Sequence, residues 1–322
     1  MIFFYIAIAL VSFFTTFVLS NFLVPRLKCF GLVGRDMNKP DQPEVAEMGG
    51  IAIVAGFTAG LLLAIFFVSF FGFNFNLVYV LAAIIAIHSV SFMGIVDDML
   101  DIPQWLKALL PLFAAIPLVA LKAAGSTAMN IPFVGLVDFG ILYILVLIPI
   151  GVAVASNLTN MLAGFNGMEA GMGVVIFFTT TVLALAKGSM EMALISLSML
   201  AAMFAFLRFN MYPAKIFPGD VGNLTIGAAL ATAVIIGNLE SVGAILMVPY
   251  VIDFFIKAYN RFPKSFGEYR DGKLYPPGGK IKGLVHFVMK MFNGISEQRL
   301  VLFFVGLEAI FAIAVLVIFL KV

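Results

Sequence analysis

Charge is scarce in this chain: Asp, Glu, Lys and Arg make up only 11% of its 322 residues. Soluble domains carry about a quarter, so an ordinary soluble protein is excluded. Cysteine is nearly absent; the single Cys29 rules out a disulfide within the chain and reads as a small apolar residue. Histidine is down to two, His88 inside an apolar run and His286 in a later loop. Neither has metal-ligand spacing, and both read as packing residues. The N-terminus lacks the basic region and small-residue cleavage site of a signal peptide, so its first apolar run is expected to be a span. Internal repeats, low-complexity tracts and a second soluble domain are also missing.

Long apolar runs fill the chain instead. Hydrophobic residues account for 63% of it, and the mean hydropathy is +1.13. Spans of about 20 apolar residues are expected near 2–24, 49–71, 76–96, 106–123, 140–157, 170–186, 190–208, 223–237, 242–258 and 299–320. The fold class is therefore an all-α polytopic membrane protein of about ten helices, one membrane domain over 1–322. With both termini outside, the loops 25–48, 97–106, 158–169, 209–222 and 259–298 face the cytoplasm. These loops and their flanks hold 16 of the 19 Lys and Arg; only Lys122, Lys187 and Lys321 fall outside. That asymmetry satisfies the positive-inside rule. Most acids lie in the same loops, whereas the outer connections 72–75, 187–189 and 238–241 are too short to build a site. A net charge of +2 thus hides a polarised molecule with its chemistry on one face, and no nucleic-acid partner is expected.

Three segments on that face carry unusual polar residues. Asp97, Asp98 and Asp101 arrive where the third apolar run ends; they read either as a solvated helix cap or as carboxylates gathered by a cation. Asp97 and Asp101, four apart, are expected on one helix face. Next come Asn157 and Asn160, followed by Gly164, Asn166 and Gly167. Asparagine and glycine often end helices, but an amide oxygen also ligates a hard cation or meets a phosphate or base. The third segment is Phe217-Pro218-Gly219-Asp220. Asp220 suits an N-cap and equally the oxygen donor Mg2+ prefers; Phe217 suits a membrane anchor or a base-stacking platform. Lys107 is read as a phosphate contact or a snorkelling lysine. Arg35-Asp36-Met37-Asn38-Lys39 and Glu44 flank the site. In the last loop, Asp271-Gly272 reads as a hairpin turn. Residues 281–292 read as an amphipathic helix on the membrane surface, with Lys282 and Lys290 toward headgroups.

In this order, the segments resemble the polyprenyl-phosphate N-acetylhexosamine-1-phosphate transferase family. Within it, Asp36-Met37-Asn38-Lys39, the run from Asn160 to Gly171 and Tyr212-Pro213-Ala214-Lys215-Ile216-Phe217 are similar to the dolichyl-phosphate GlcNAc-1-phosphate transferases of archaea and eukaryotes. The resemblance implies transfer of GlcNAc-1-phosphate from UDP-GlcNAc to a polyprenyl or dolichyl phosphate in the cell membrane, releasing UMP. It implies Mg2+, with Mn2+ as a substitute, held by Asp220 and Asn160. Lys107 would steady phosphate, and Asp97 and Asp98 would position substrate or metal, Asp97 being a candidate base. The nucleotide sugar would meet Asn157, Asn166, Gly164, Phe217, Glu44, Asn38 and Lys39. Membrane lipids are partners, and family members are often homodimers. The family's basic or His-rich run in the last loop is missing here; Arg261 and Lys264 can replace only its charge. Alternatives are another UDP-N-acetylhexosamine donor, or a secondary transporter. A transporter would carry charges near the bilayer midplane and two matching halves; Asp253 and Glu308 fall within spans, but no halves match.

Overall fold

The computed structural model describes residues 2–123, 126–131 and 134–320; Lys321, expected on the outer side, lies outside them. Among the described residues, nine helices are long and apolar enough to cross a membrane, or ten if a bent pair is one span. Helix α1 spans Ile2–Cys29, α2 Gly50–Phe71 and α3 Leu77–Leu100. Helices α4 (Gln104–Ala114) and α5 (Ile116–Lys122) share one span, and α6 (Ile148–Met161) is entered through a π-turn at Tyr143–Leu147. Then follow α7 (Met168–Ala186), α8 (Met190–Asn210), α9 (Gly219–Ile236), α10 (Glu240–Leu246), α11 (Val248–Tyr259), α12 (Leu284–Met291) and α13 (Glu297–Leu320). Three antiparallel strand pairs and a 3-10 turn at Pro277–Gly279 complete the list: β1 (Val33–Arg35) with β2 (Glu44–Ala46), β3 (Ala128–Ile131) with β4 (Gly135–Asp138), and β5 (Glu268–Arg270) with β6 (Lys273–Tyr275). Asp271 and Gly272, both at positive φ, turn the last of them.

Proline shapes three of the expected spans. A proline ring removes one backbone N–H and crowds the carbonyl four residues earlier. Pro117 lies at the start of α5, where the run expected at 106–123 breaks. Pro249 opens α11, which bends 56° from α10 within the run expected at 242–258. Pro149 follows the π-turn ahead of α6.

Helix α9 is the axis of the bundle. Every residue in it is buried except Asp220, and it packs against α2, α3, α6 and α8. Small residues allow backbones to approach closely, the usual basis of helix association in lipid. A Cβ on Gly94 of α3 would run into Val221, one on Gly50 of α2 into Gly222, and one on Gly227 into the Ala155 carbonyl of α6. Alternating helix direction brings the end of α3, the start of α4, the end of α6 and the start of α9 to one end of the bundle.

Two expectations near that end need correction. Helix α3 runs on to Leu100, so Asp97 and Asp98 belong to its last turn; Asp101 leaves the helix at φ 49° and is exposed, while Asp97 is buried. They do not share a face. Helix α12 is shorter than 281–292 and buries Leu284, Val285, His286, Val288 and Met289. Its apolar side therefore packs on protein, against α11, α13 and β6, and only Phe287, Lys290 and Met291 are left exposed.

Replacing Gly227 by Ala should lower stability by about 1–3 kcal/mol through overpacking, seen as a lower unfolding midpoint in detergent. Gly151→Ala is the control, because nothing lies within 4 Å of its added Cβ; there the better helix propensity of alanine should leave the midpoint unchanged or higher.

Candidate active site

The site begins with the start of α9. A helix leaves its first backbone N–H groups without partners, and Pro218, the residue before α9, offers no side-chain cap. Asp98 supplies it from another helix: Oδ1 accepts the Asp220 N–H at 2.8 Å and Oδ2 the Val221 N–H at 3.1 Å. Asp220 is thus not the cap it resembles in the sequence. It is the second residue of α9, and its carboxylate pairs with Lys107. Lys107, in the first turn of α4, also pairs with Asp97. Asp97 Oδ1 accepts the Ile102 N–H at 3.1 Å, so both its oxygens are engaged.

The Pro218-Gly219 turn is zipped to the start of α2. Phe217 N–H donates to Ala46 O at 2.7 Å, and the Gly49 and Gly50 N–H groups donate to Phe217 O and Pro218 O, both at 2.8 Å. Gly49 and Gly50 fit because a Cβ on the first would meet Phe206 and Phe217 O, and one on the second would meet Gly222. Gly219 sits at φ 68° against Asp98 and Met48. Phe217 stays half-buried at the rim.

Helix α6 lines the opposite wall. Thr159 donates to Asn223 O at 2.7 Å, fixing α6 against α9. Asn160 Oδ1 accepts from the Asn223 amide at 3.1 Å, and both Asn157 and Asn160 are half-buried. Asn157 uses its amide N–H on Ala153 O at 2.8 Å. Asn223 Oδ1 is buried without a partner. Among the described residues no three His, Cys, Asp or Glu side chains gather as a metal site. The donors here are mixed instead: the Asp220 carboxylate, Asn160 and the orphaned oxygen of Asn223, three residues beyond Asp220. Hard oxygen donors of this kind fit Mg2+. Asn223 was not singled out from the sequence, although its spacing of three from Asp220 was a usable signal.

A second polar network lies behind the site. Asn166 donates to Asp36 Oδ2 at 2.9 Å, its Oδ1 accepts the Ala214 N–H at 2.7 Å, and its own N–H donates to Glu297 at 2.8 Å. Asn38 donates to Gly164 O at 2.8 Å and accepts the Gly267 N–H at 2.9 Å. Lys39 pairs with Glu297 and with Asp36, and its ammonium stands 4.5 Å over the Tyr212 ring. Burial works against the Lys39 charge, but Glu297 and Asp36 outweigh it and raise its pKa. Gly164 is exposed at φ 110°, its N–H held by buried Glu169. Asn166, Asn38 and Lys39 are therefore brought together, with every amide end occupied inside the protein.

Other expected residues are not gathered in. Glu44 is exposed on β2 opposite Arg35, and Arg261 and Lys264 are exposed beyond α11. Glu47 is the acid that approaches the site: burial, then the nearby charge of Asp220, raises its pKa.

A bundle of membrane-length helices that gathers carboxylates, amides and a lysine at one end defines a polytopic membrane protein with a polar site at that end. The chain belongs to glycosyl transferase family 4, whose sequence profile matches residues 77–238. That match takes in the Asp97–Asp98, Asn157–Asn160, Gly164–Gly167 and Phe217–Asp220 segments, and it bears out the family resemblance. Among its relatives, a Saccharolobus solfataricus protein is 37% identical over 94% of this chain and 93% of its own length. That protein is provisionally named a UDP-N-acetylglucosamine–dolichyl-phosphate N-acetylglucosaminephosphotransferase. The Saccharomyces cerevisiae enzyme of the same name, without the qualification, is 25% identical over 83% of this chain and 72% of its own. A phospho-N-acetylmuramoyl-pentapeptide-transferase of Halalkalibacterium halodurans is 29% identical over 76% and 78%. The family assignment supports a glycosyl-1-phosphotransferase type of activity.

Asp98→Asn turns one cap oxygen into a donor facing a backbone N–H. It should slow turnover on the order of 100-fold through misplacement of Asp220, while Asp101→Asn should stay close to wild type. Equal losses in steady-state rate would show that all three acids act together.

Proposed function

We propose that the protein transfers GlcNAc-1-phosphate from UDP-GlcNAc to a polyprenyl or dolichyl phosphate, forming a lipid-linked pyrophosphate sugar and UMP, the first step of lipid-linked oligosaccharide synthesis. The observation that carries the reading is Lys107 held between Asp97 and Asp220, with Asp220 aimed by the Asp98 cap. The names of the relatives support the sugar and the lipid class. Positive-inside bias supports a cytoplasmic site in the cell membrane, with both termini outside; the chain is read as one membrane domain over 1–322.

Two anionic substrates must approach each other, so charge neutralisation is the main demand on the site. An oxygen of the lipid phosphate attacks the sugar-bearing phosphorus of UDP-GlcNAc. The new P–O bond becomes the lipid pyrophosphate, and the P–O bond to the uridylyl phosphate breaks to release UMP. A phosphate monoester, with its second pKa at about 6, is largely dianionic at neutral pH, so direct displacement needs little base. Asp97, with both oxygens engaged, serves to hold Lys107 rather than to remove a proton. Lys107 steadies phosphate oxygens. Asp220, Asn160 and Asn223 would hold Mg2+, which when bound supplies positive charge to the pyrophosphate and the leaving UMP. Phe217, Gly164 and Asn157 line the nucleotide-sugar side. Asn38, Lys39 and Asn166 would shape that side from behind, while Glu44, Arg261 and Lys264 are exposed and outside the gathered residues.

The test is UMP release by purified protein with Mg2+ and a dolichyl or polyprenyl phosphate, across UDP-GlcNAc, UDP-GalNAc and UDP-MurNAc-pentapeptide. Lipid-dependent release from UDP-GlcNAc is expected, and Asp220→Ala should abolish it. Release from another donor alone would replace the sugar. No release from any donor by folded protein would return the transporter reading. An active Asp220→Ala variant with unchanged Mg2+ dependence would remove Asp220 from the metal.

A further inference from the structure

Two charged side chains outside the site are among the most deeply buried in the molecule: Asp253 is 0% exposed and Lys257 3%. Both lie on α11, four residues apart, with Asp253 Oδ2 and Lys257 Nζ 2.8 Å from each other. A buried ion pair is tolerable only where further partners satisfy each charge, and here each further partner is a helix terminus. Lys257 Nζ donates to Met161 O, the last carbonyl of α6. The final carbonyls of a helix lack intrahelical donors and carry partial negative charge, so a cation is favoured there. Asp253 Oδ1 accepts the Leu284 N–H at 2.7 Å, the first donor of α12. Gly283, which precedes it, has no side chain to cap α12 and lies against Asp253 and Lys257.

We propose that Asp253 and Lys257 are positioning residues, a buried ion pair that clamps the end of α6 to the start of α12 and so fixes Asn157, Asn160 and the 162–167 turn. The far side of the clamp closes on the same turn. His286 of α12 contacts Phe266 O at 3.0 Å, the Phe266 ring lies against Gly164, and Gly267 N–H and Gly164 O are joined through Asn38. The last loop is thus tied to the site by an internal pair, while its cations Arg261 and Lys264 remain exposed. The proposal rests on the transferase reading for its rate measurement, but not for its structural one.

The double variant Asp253→Leu/Lys257→Met removes both arms of the clamp without leaving a lone buried charge. It should lower kcat on the order of 10- to 100-fold, raise the half-saturating Mg2+ concentration several-fold, and speed hydrogen exchange at residues 162–166. Lys257→Arg, which keeps the cation, should recover most of each. A lower unfolding midpoint with unchanged kcat, Mg2+ dependence and exchange per folded molecule would reduce the pair to a stability element and overturn the proposal. Should the double variant not fold, wild-type exchange decides. The Leu284 amide and those of Leu162 and Gly164 should open with equal protection; unequal protection would overturn the clamp. A wild type silent in the UMP assay, with the exchange changes intact, would count against the transferase reading alone.

Discussion

The Asp98 carboxylate, bonded to the first N–H groups of α9, is the contact on which the rest of this end of the bundle depends. Charge-assisted bonds to backbone N–H are stronger than neutral ones, and the positive end of a helix adds to them. The cap holds α9, buried along its whole length except at Asp220, at a single height against α3. Sliding α9 by one turn, about 5.4 Å, would strand the carboxylate and drive Val221 and Gly222 out of the glycine contacts with Gly94 and Gly50. Those glycines and the cap specify the same arrangement, one through shape and the other through charge.

With α9 fixed, Asp220 can only face Lys107. Two carboxylates sharing one ammonium leave the trio with a net negative charge, which suits a site that must accept a divalent cation together with two phosphates. Helix α6 enters this arrangement through the Thr159 bond to Asn223 O and the Asn160–Asn223 pair, so its amides are held against α9 by contacts that need no ligand to form. Preorganised dipoles of this kind do not reorganise as charge shifts between phosphates.

Much of this was legible in the sequence because membrane spans are written in composition and polar residues at their ends stand out against it. The spans are legible with soft boundaries, and alternation of direction alone places three segments far apart in the chain on one face. What stayed hidden has physical causes. Asp97, Asp98 and Asp101 are chemically identical, and only the exact end of α3 separates a lysine partner, a helix cap and an exposed residue. Glu44 opens the three-residue strand β2 and is exposed, whereas Glu47 follows it and turns toward the site. The breaks at Ala115 and Met247 lie just ahead of Pro117 and Pro249, yet a proline inside an apolar run does not say whether the helix kinks, bends or tightens into a π-turn.

The asparagines divide by how much of each amide the fold consumes. Asn38 and Asn166 use the donor and the acceptor on partners inside the protein. A buried polar network satisfied throughout is rigid, and breaking any one bond would strand its partner. That is the profile of a scaffold, and it explains how a short 162–167 turn with two left-handed glycines keeps one shape beside a flexible substrate. Asn223 is different: its N–H is committed to Asn160, while its oxygen is buried and unpartnered. Leaving a buried acceptor unsatisfied costs about 1–3 kcal/mol, and a hard cation beside Asp220 would cancel that cost on binding. In the sequence, Asn157, Asn160 and Asn166 look alike as ligands. Hydrogen-bond accounting separates those that shape the pocket from those with an oxygen left to give.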